Sequence, residues 1–124
     1  MSAHDGASAP AREQLAHRAL REGLDDCVPL DSIRLQALAL GASDWGQALS
    51  WSIAVIRELE ADGLVRLGRL VDGRGWLPFE RSAADVLMEV VRRDRQEGSD
   101  EAGYYLWLKL TPEGESRARQ LESR

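Results

Sequence analysis

The chain has few residues of the types that build disulfides, metal sites or nucleophilic centres. It holds one cysteine, Cys27, and two histidines, His4 and His17. A single cysteine excludes an internal disulfide, and the cysteine and histidines do not have metal-ligand spacing. Asp25 and Asp26 precede Cys27, and acidic neighbours raise a thiol pKa, which opposes a nucleophilic role. We therefore expect no metal, no cofactor and no enzymatic activity, and we interpret Cys27 as a buried structural thiol.

Long apolar runs are also missing. No stretch approaches the roughly 18 consecutive apolar residues that a membrane-spanning helix requires. Residues 1–10 are small and polar, so they do not resemble a signal peptide and are predicted to be a disordered tail. Because isolated cysteines are typical of reducing compartments, we expect a cytoplasmic protein without a membrane partner.

Lysine is nearly absent as well, since Lys109 is the only one among 16 basic residues. The formal net charge is -5, and an acidic balance opposes unspecific binding to nucleic acid and to anionic membranes. A chain of 124 residues has the usual length of one domain and can bury a core without disulfides.

The order of periodic segments predicts an α+β fold. Apolar residues recur with helical spacing in four segments, and a final helix is expected to begin at Thr111 and Pro112. Ser43 or Asp44 is expected to cap the third helix and Asp31 or Ser32 the second, while Gly63 ends the third. The predicted helices span 11–22, 31–40, 45–62 and 82–95, and the predicted strands and extended segments span 27–30, 64–71, 76–79 and 104–110.

The succession of helix, glycine stop, strand, strand and helix resembles the winged helix-turn-helix superfamily. Residues 56–65 resemble the end of its recognition helix and the start of its wing. Residues 108–114 resemble the wing exit of multidrug-resistance and PadR-type regulators. The resemblance implies a winged-helix-like three-helix core, a small antiparallel sheet and a C-terminal helix over 11–124. Since the wing of this family is a short hairpin, we interpret 72–103 as a wing insertion that contains the helix 82–95.

The resemblance also implies a DNA-binding transcriptional regulator, which would act as a dimer. A winged helix reads the major groove with its third helix, and arginine and lysine contacts to phosphate supply most of the affinity. Within 44–62, however, one basic residue faces four acidic ones, so we keep DNA binding as the alternative function. Its candidate residues are Gln47, Ser50, Arg57, Arg66, Arg69 and Arg74.

The leading prediction is a non-enzymatic protein-binding module. Trp51 falls on the presumed exposed side of the third helix, where a tryptophan among small residues is typical of a binding hot spot. Trp107 lies on the outer side of the last strand, as a second aromatic candidate. For each tryptophan an alternative to exposure stays open. The insertion 72–103 would bury Trp51 if it folded back on the third helix, and the helix 82–95 would cover Trp107.

A basic protein is the expected partner, since exposed acidic residues steer an oppositely charged surface. The acidic candidates are Glu58, Asp62, Asp100 and Glu101. Over 20–122 the chain also resembles a group of small acidic actinobacterial proteins of unassigned role, and their association with toxin-immunity gene neighbourhoods suggests an immunity-type inhibitor. A regulatory adaptor is the other role that this surface would serve.

Overall fold

The computed structural model describes residues 7–96 and 103–123. It has an α+β architecture, which confirms the predicted fold class, and the arrangement is winged-helix-like. In chain order the elements are α1 (Ala9–Gly23), β1 (Val28–Pro29), α2 (Leu30–Ala39), α3 (Trp45–Ala61), β2 (Val65–Val71), β3 (Gly75–Pro78), α4 (Ala83–Gln96), β4 (Trp107–Leu110) and α5 (Pro112–Glu122). In the described part of the chain, each helix falls short of the length and apolar character that a membrane crossing needs.

Local sequence signals fix the ends of α3 and α5. The Asp44 carboxylate accepts the Gln47 backbone N–H at 2.7 Å and so caps α3. Gly63 follows the helix with a φ of +75°, a conformation that glycine adopts without steric cost. Thr111 accepts the Gly114 N–H at 3.0 Å and caps α5, with Pro112 in its first turn. These boundaries confirm the sequence predictions.

Two helix starts differ from the prediction. α1 begins at Ala9 inside the segment expected to be a disordered tail, because the Ser8 hydroxyl accepts the Ala11 N–H at 3.3 Å. α2 begins at Leu30 with Pro29 at the N-cap and no side-chain cap. The expected cap at Asp31 or Ser32 is therefore wrong, since both residues lie inside the first turn.

The sheet is antiparallel with the order β1-β4-β2-β3. Val65 pairs with Leu110 and Gly68 with Trp107, so the two wing strands β2 and β4 are neighbours although the insertion separates them in sequence. β3 returns from a tight turn and pairs with the outer edge of β2. β4 is shorter than the predicted strand 104–110 because Tyr104 and Tyr105 form a turn before it.

Gly68 is required by a close approach on the outer face of the sheet. The Trp76 indole crosses β2 at this point, and its Nε1–H donates to the Trp107 carbonyl at 3.1 Å. A Cβ at position 68 would lie 2.4 Å from Trp76 Cε2 and 2.4 Å from the Leu77 carbonyl oxygen. A side chain there would force the indole away from the strand.

One apolar core joins the helices to the inner face of the sheet. Leu106, Leu108 and Leu110 are buried beneath it while Lys109 is exposed, which is the period-two pattern of a strand. The insertion adds to this core through α4, whose buried residues are Val86, Leu87 and Val90.

Candidate functional site

Trp51 is buried, with 8% of its surface exposed. The prediction that it lies on the exposed side of α3 is therefore wrong. It sits at one edge of the buried arc of the helix, and Glu58 shares this edge because residues seven apart lie on one helical face. Arg12 of α1 donates to Glu58 Oε1 at 3.3 Å, so α1 runs along the side of α3 that carries Trp51. Burial removes the reason for treating Trp51 as a partner anchor.

The other expected partner-binding residues do not converge on Trp51. Glu58 and Asp62 are exposed on the last turns of α3. Trp107 is half-buried at the opposite end of the β2–β4 pair, where its Nε1–H donates to the Tyr104 carbonyl at 3.1 Å. Asp100 and Glu101 lie outside the described residues. No acidic surface around a tryptophan anchor is present among the residues that are described.

The expected DNA-reading residues on α3 lie in three different environments. The Gln47 side-chain oxygen accepts the Ser43 N–H at 2.6 Å and stays at the start of the helix. Ser50 is exposed, and its hydroxyl lies 3.4 Å from the Gly46 carbonyl. Arg57 lines a groove against α4. Ser50 and Arg57 lie seven residues apart and therefore share one exposed face of α3, while the Gln47 side chain is turned back to the start of the helix.

The wing arginines point in different directions. Arg66 pairs with Lys109 on the outer face of the sheet, with its guanidinium 5.7 Å from the Trp76 ring. Arg69 lies across the strand from Leu77, on the opposite face. Arg74 is exposed in the turn between β2 and β3. A single phosphate-binding stripe is not formed by these three side chains.

The insertion folds back along α3 and creates a groove, here called the α3–α4 groove. The cavity between the two helices measures about 380 Å³, within the usual range of about 300–1,000 Å³ for ligand pockets. Its apolar part is formed by Ile53, Leu87, Met88 and Val91. Met88 is 71% exposed, although its neighbour Leu87 is fully buried. An apolar side chain of this size on an accessible helix face marks the groove as a candidate contact surface.

Arginine side chains surround the apolar part of the groove. They are Arg57 from α3 and Arg92 and Arg95 from α4. Within the described residues, Arg57 and Arg95 form no hydrogen bond or ion pair. Arg92 donates to Glu89 Oε1 at 3.0 Å and to Gln96 Oε1 at 2.6 Å. The rim is therefore positively charged even though the whole chain is acidic.

Glu89 fixes the arginines on α4. Hydrogen bonds from Arg92, and then from Arg93, lower the pKa of Glu89 from 4.5 to about 2. Arg93 Nε lies 2.9 Å from Glu89 Oε2, and its guanidinium stacks 4.1 Å from the Tyr105 ring. Glu89 therefore stays ionised at neutral pH and holds the two arginines in place.

A buried ion pair holds α4 against the rest of the protein. Arg34 of α2 is fully buried and donates from Nη1 to Asp94 Oδ1 at 3.0 Å. Its Nε and Nη2 donate to the Trp45 carbonyl at 3.3 and 2.9 Å, and its guanidinium lies 4.2 Å from the Trp45 ring. Through this one side chain, α2 is bonded to the start of α3 and to the end of α4, the two helices that line the groove.

The described residues contain no metal-ligand cluster of histidine, cysteine, aspartate and glutamate. Cys27 is half-buried rather than fully buried. Burial, and after it the Asp26 carboxylate, raises the pKa of the Cys27 thiol. A raised pKa disfavours the thiolate and leaves Cys27 a poor nucleophile at neutral pH.

The groove was not foreseen from the sequence. Ile53 has the helical spacing of a core residue, and Val91 continues the apolar stripe of the inserted helix. Met88 carried a usable signal, because helical spacing places it outside the stripe of Val86, Leu87 and Val90. What the sequence did not reveal is that α4 packs beside α3.

In comparisons with protein-family models, curated proteins and solved structures, nothing matches this chain.

Proposed function

We propose that this protein is a non-enzymatic protein-binding module whose α3–α4 groove receives an amphipathic helix of a partner protein. The observation that carries the proposal is the combination of an exposed methionine, Met88, with an arginine rim around an apolar floor. Docking of an amphipathic helix into a groove between helices is a recurring mode of protein recognition. Methionine suits such surfaces because its flexible, polarisable side chain adapts to irregular partners.

The rim defines the charge of the partner. Arg57, Arg92 and Arg95 surround the groove, and guanidinium groups form strong paired hydrogen bonds with carboxylates. We therefore propose a partner helix with an apolar stripe flanked by aspartate or glutamate. This differs from the basic partner expected from the sequence, because the accessible apolar surface lies among arginines rather than among the acidic residues.

The exposed side of α3 leaves room for such a helix. Its exposed residues beside the groove are small, namely Gly46, Ser50 and Ala54. Packed helices approach to about 8–10 Å, and small side chains at the contact allow the closer distances. The acidic end of α3, with Glu58 and Asp62, then contributes to orientation and not to the main contact. Both an immunity-type inhibitor and a regulatory adaptor would use a surface of this kind.

The geometry gives less support to duplex DNA. An α-helix with its side chains is about 10–12 Å across, close to the width of about 12 Å of the major groove. α4 lies along the flank of α3 that carries Arg57 and would hinder entry of α3 into that groove. The separation of Arg66, Arg69 and Arg74 over different faces also weakens a common phosphate contact.

A pair of matched peptides tests the proposal. Both form an amphipathic helix of about four turns with the same apolar stripe, and one carries glutamate where the other carries lysine. Fluorescence anisotropy should show tighter binding of the glutamate peptide, with an affinity that falls as salt is added. Equal binding of the two peptides would contradict the charge assignment.

Met88→Glu should weaken binding of the glutamate peptide at least about tenfold, as expected for an anchor at the centre of an interface. Leu35→Glu is the matched control, because Leu35 is 59% exposed but does not line the groove. Thermal melts establish that both variants fold. Loss of binding in the Leu35 variant alone, or duplex DNA binding that is abolished by Met88→Glu, would overturn the proposed role of the groove.

A further inference from the structure

A second cavity lies on the other side of α4, here called the β3–α4 cleft. It measures about 580 Å³ and is bounded by β2, β3, the segment that follows β3, and α4. Three arginines from three different elements meet here, namely Arg69, Arg81 and Arg93. Glu80 is the acidic residue in the lining. The three guanidinium groups outnumber the Glu80 carboxylate in the lining, although Glu89, which lies outside the lining, offsets part of the charge of Arg93.

The arginines differ in how they are held. Arg93 is fixed by the Glu89 carboxylate at 2.9 Å and by stacking 4.1 Å from the Tyr105 ring. Arg81 reaches the Asp85 carbonyl only at 3.5 Å, and Arg69 forms no hydrogen bond with a described residue. One guanidinium is therefore pre-positioned at the wall of the cleft, while two exposed ones at the rim are able to turn toward a ligand.

Aromatic side chains supply an apolar wall to the same cavity. The rings of Phe79 and Tyr105 lie 5.1 Å apart at an angle of 42°, and both residues are half-buried. A cavity with an apolar wall and a few converging charged groups is typical of small-molecule sites, and its volume fits a small organic ligand.

We propose that the β3–α4 cleft binds a small phosphate monoester that carries a planar organic ring. A phosphate monoester has a charge of about -1.5 to -2 at neutral pH, which the excess of arginine in the lining attracts. The planar fork of arginine suits paired hydrogen bonds to phosphate oxygens. The ring of the ligand packs against Phe79 and Tyr105. This site is separate from the α3–α4 groove and does not depend on the function proposed for it.

Isothermal titration calorimetry with phenyl phosphate, inorganic phosphate and phenol tests the proposal. Phenyl phosphate should bind more tightly than either of its two parts, with an affinity that decreases as salt rises. The double variant Arg69→Gln with Arg81→Gln should lower the affinity for phenyl phosphate at least about tenfold, because each substitution removes one charge-assisted hydrogen bond to the phosphate. Phe79→Leu, which keeps the Tyr105 ring that holds Arg93, should weaken phenyl phosphate and leave inorganic phosphate unaffected.

Arg74→Gln is the matched control, because Arg74 is an exposed arginine of the β2–β3 turn that does not line the cleft. Its affinity for phenyl phosphate should equal that of the unchanged protein. No binding of phenyl phosphate at millimolar concentration would overturn the proposal. Equal weakening by Arg74→Gln would also overturn it, since the effect would then reflect net charge and not the cleft.

Discussion

Removal of the Asp94 carboxylate should destabilise the protein and loosen the α3–α4 groove. Arg34 is completely buried, and Asp94 accepts from its Nη1 at 3.0 Å. Loss of one partner from a buried ion pair costs about 3–5 kcal/mol, because the remaining charge has no compensation. Asp94 is 20% exposed and Arg34 keeps its two hydrogen bonds to the Trp45 carbonyl. We therefore expect Asp94→Ala to cost about 3 kcal/mol, at the lower end of that range.

Equilibrium unfolding in urea measures this loss. With a dependence on urea of about 1–3 kcal/mol per molar, a loss of about 3 kcal/mol lowers the midpoint by about 1–3 M. Asp94→Asn keeps an acceptor oxygen without the charge, so its loss should be smaller than that of Asp94→Ala. Binding of the glutamate peptide should weaken in parallel, since the end of α4 is then no longer fixed to α2.

Glu58→Ala is the control for an exposed pair. Glu58 bonds Arg12 at 3.3 Å, but the two side chains are 56% and 44% exposed. Such pairs contribute only about 0–1 kcal/mol. A loss of less than about 0.5 kcal/mol in the free energy of unfolding of Asp94→Ala, or a loss in Glu58→Ala as large as that in Asp94→Ala, would contradict the role of the buried ion pair.

Three further predictions concern packing and pH. Gly68→Ala should lower the free energy of unfolding by about 1–3 kcal/mol, because the added methyl group displaces the Trp76 indole. Urea unfolding and tryptophan fluorescence measure the two effects, and an unchanged midpoint would contradict the close approach. Trp51→Ala should cost about 3–5 kcal/mol as a core truncation, and a stable variant that lost only partner binding would contradict its burial. Glu89 has a pKa of about 2, so its ionised form contributes stability that is complete above pH 4.5 and is lost as the pH falls toward 2. The difference in Tm between the unchanged protein and Glu89→Gln should therefore shrink over that window, and a constant difference would contradict the assignment.

Local signals in the sequence predicted much of the fold. Asp44, Gly63 and Thr111 act within a few residues of their own positions, so their roles follow from the requirements of helix ends. The alternation of buried Leu106, Leu108 and Leu110 with half-buried Trp107 and exposed Lys109 likewise needs only the pleat of a strand. These local features were sufficient to predict the winged-helix-like arrangement, including the insertion between β2 and β4.

Long-range packing decided what the sequence left open. Trp51 lies at the edge of the buried arc of α3, where a helical wheel alone does not separate core from surface. The position of α1 beside it determines the outcome. No local signal in the sequence indicates the role of Arg34, because that role is an ion pair with Asp94, which lies far away in sequence. The candidate site followed from the same packing, since the α3–α4 groove exists only where the two helices meet.

Charge reversal at the rim of the α3–α4 groove tests whether the arginines select an acidic partner helix. The variant Arg57→Glu with Arg95→Glu reverses two of the three rim charges while leaving Met88 and the apolar floor unchanged. We expect this variant to lose affinity for the glutamate peptide and to gain affinity for the lysine peptide in anisotropy titrations. An unchanged preference between the two peptides would contradict the proposal that the α3–α4 groove recognises an acidic amphipathic helix.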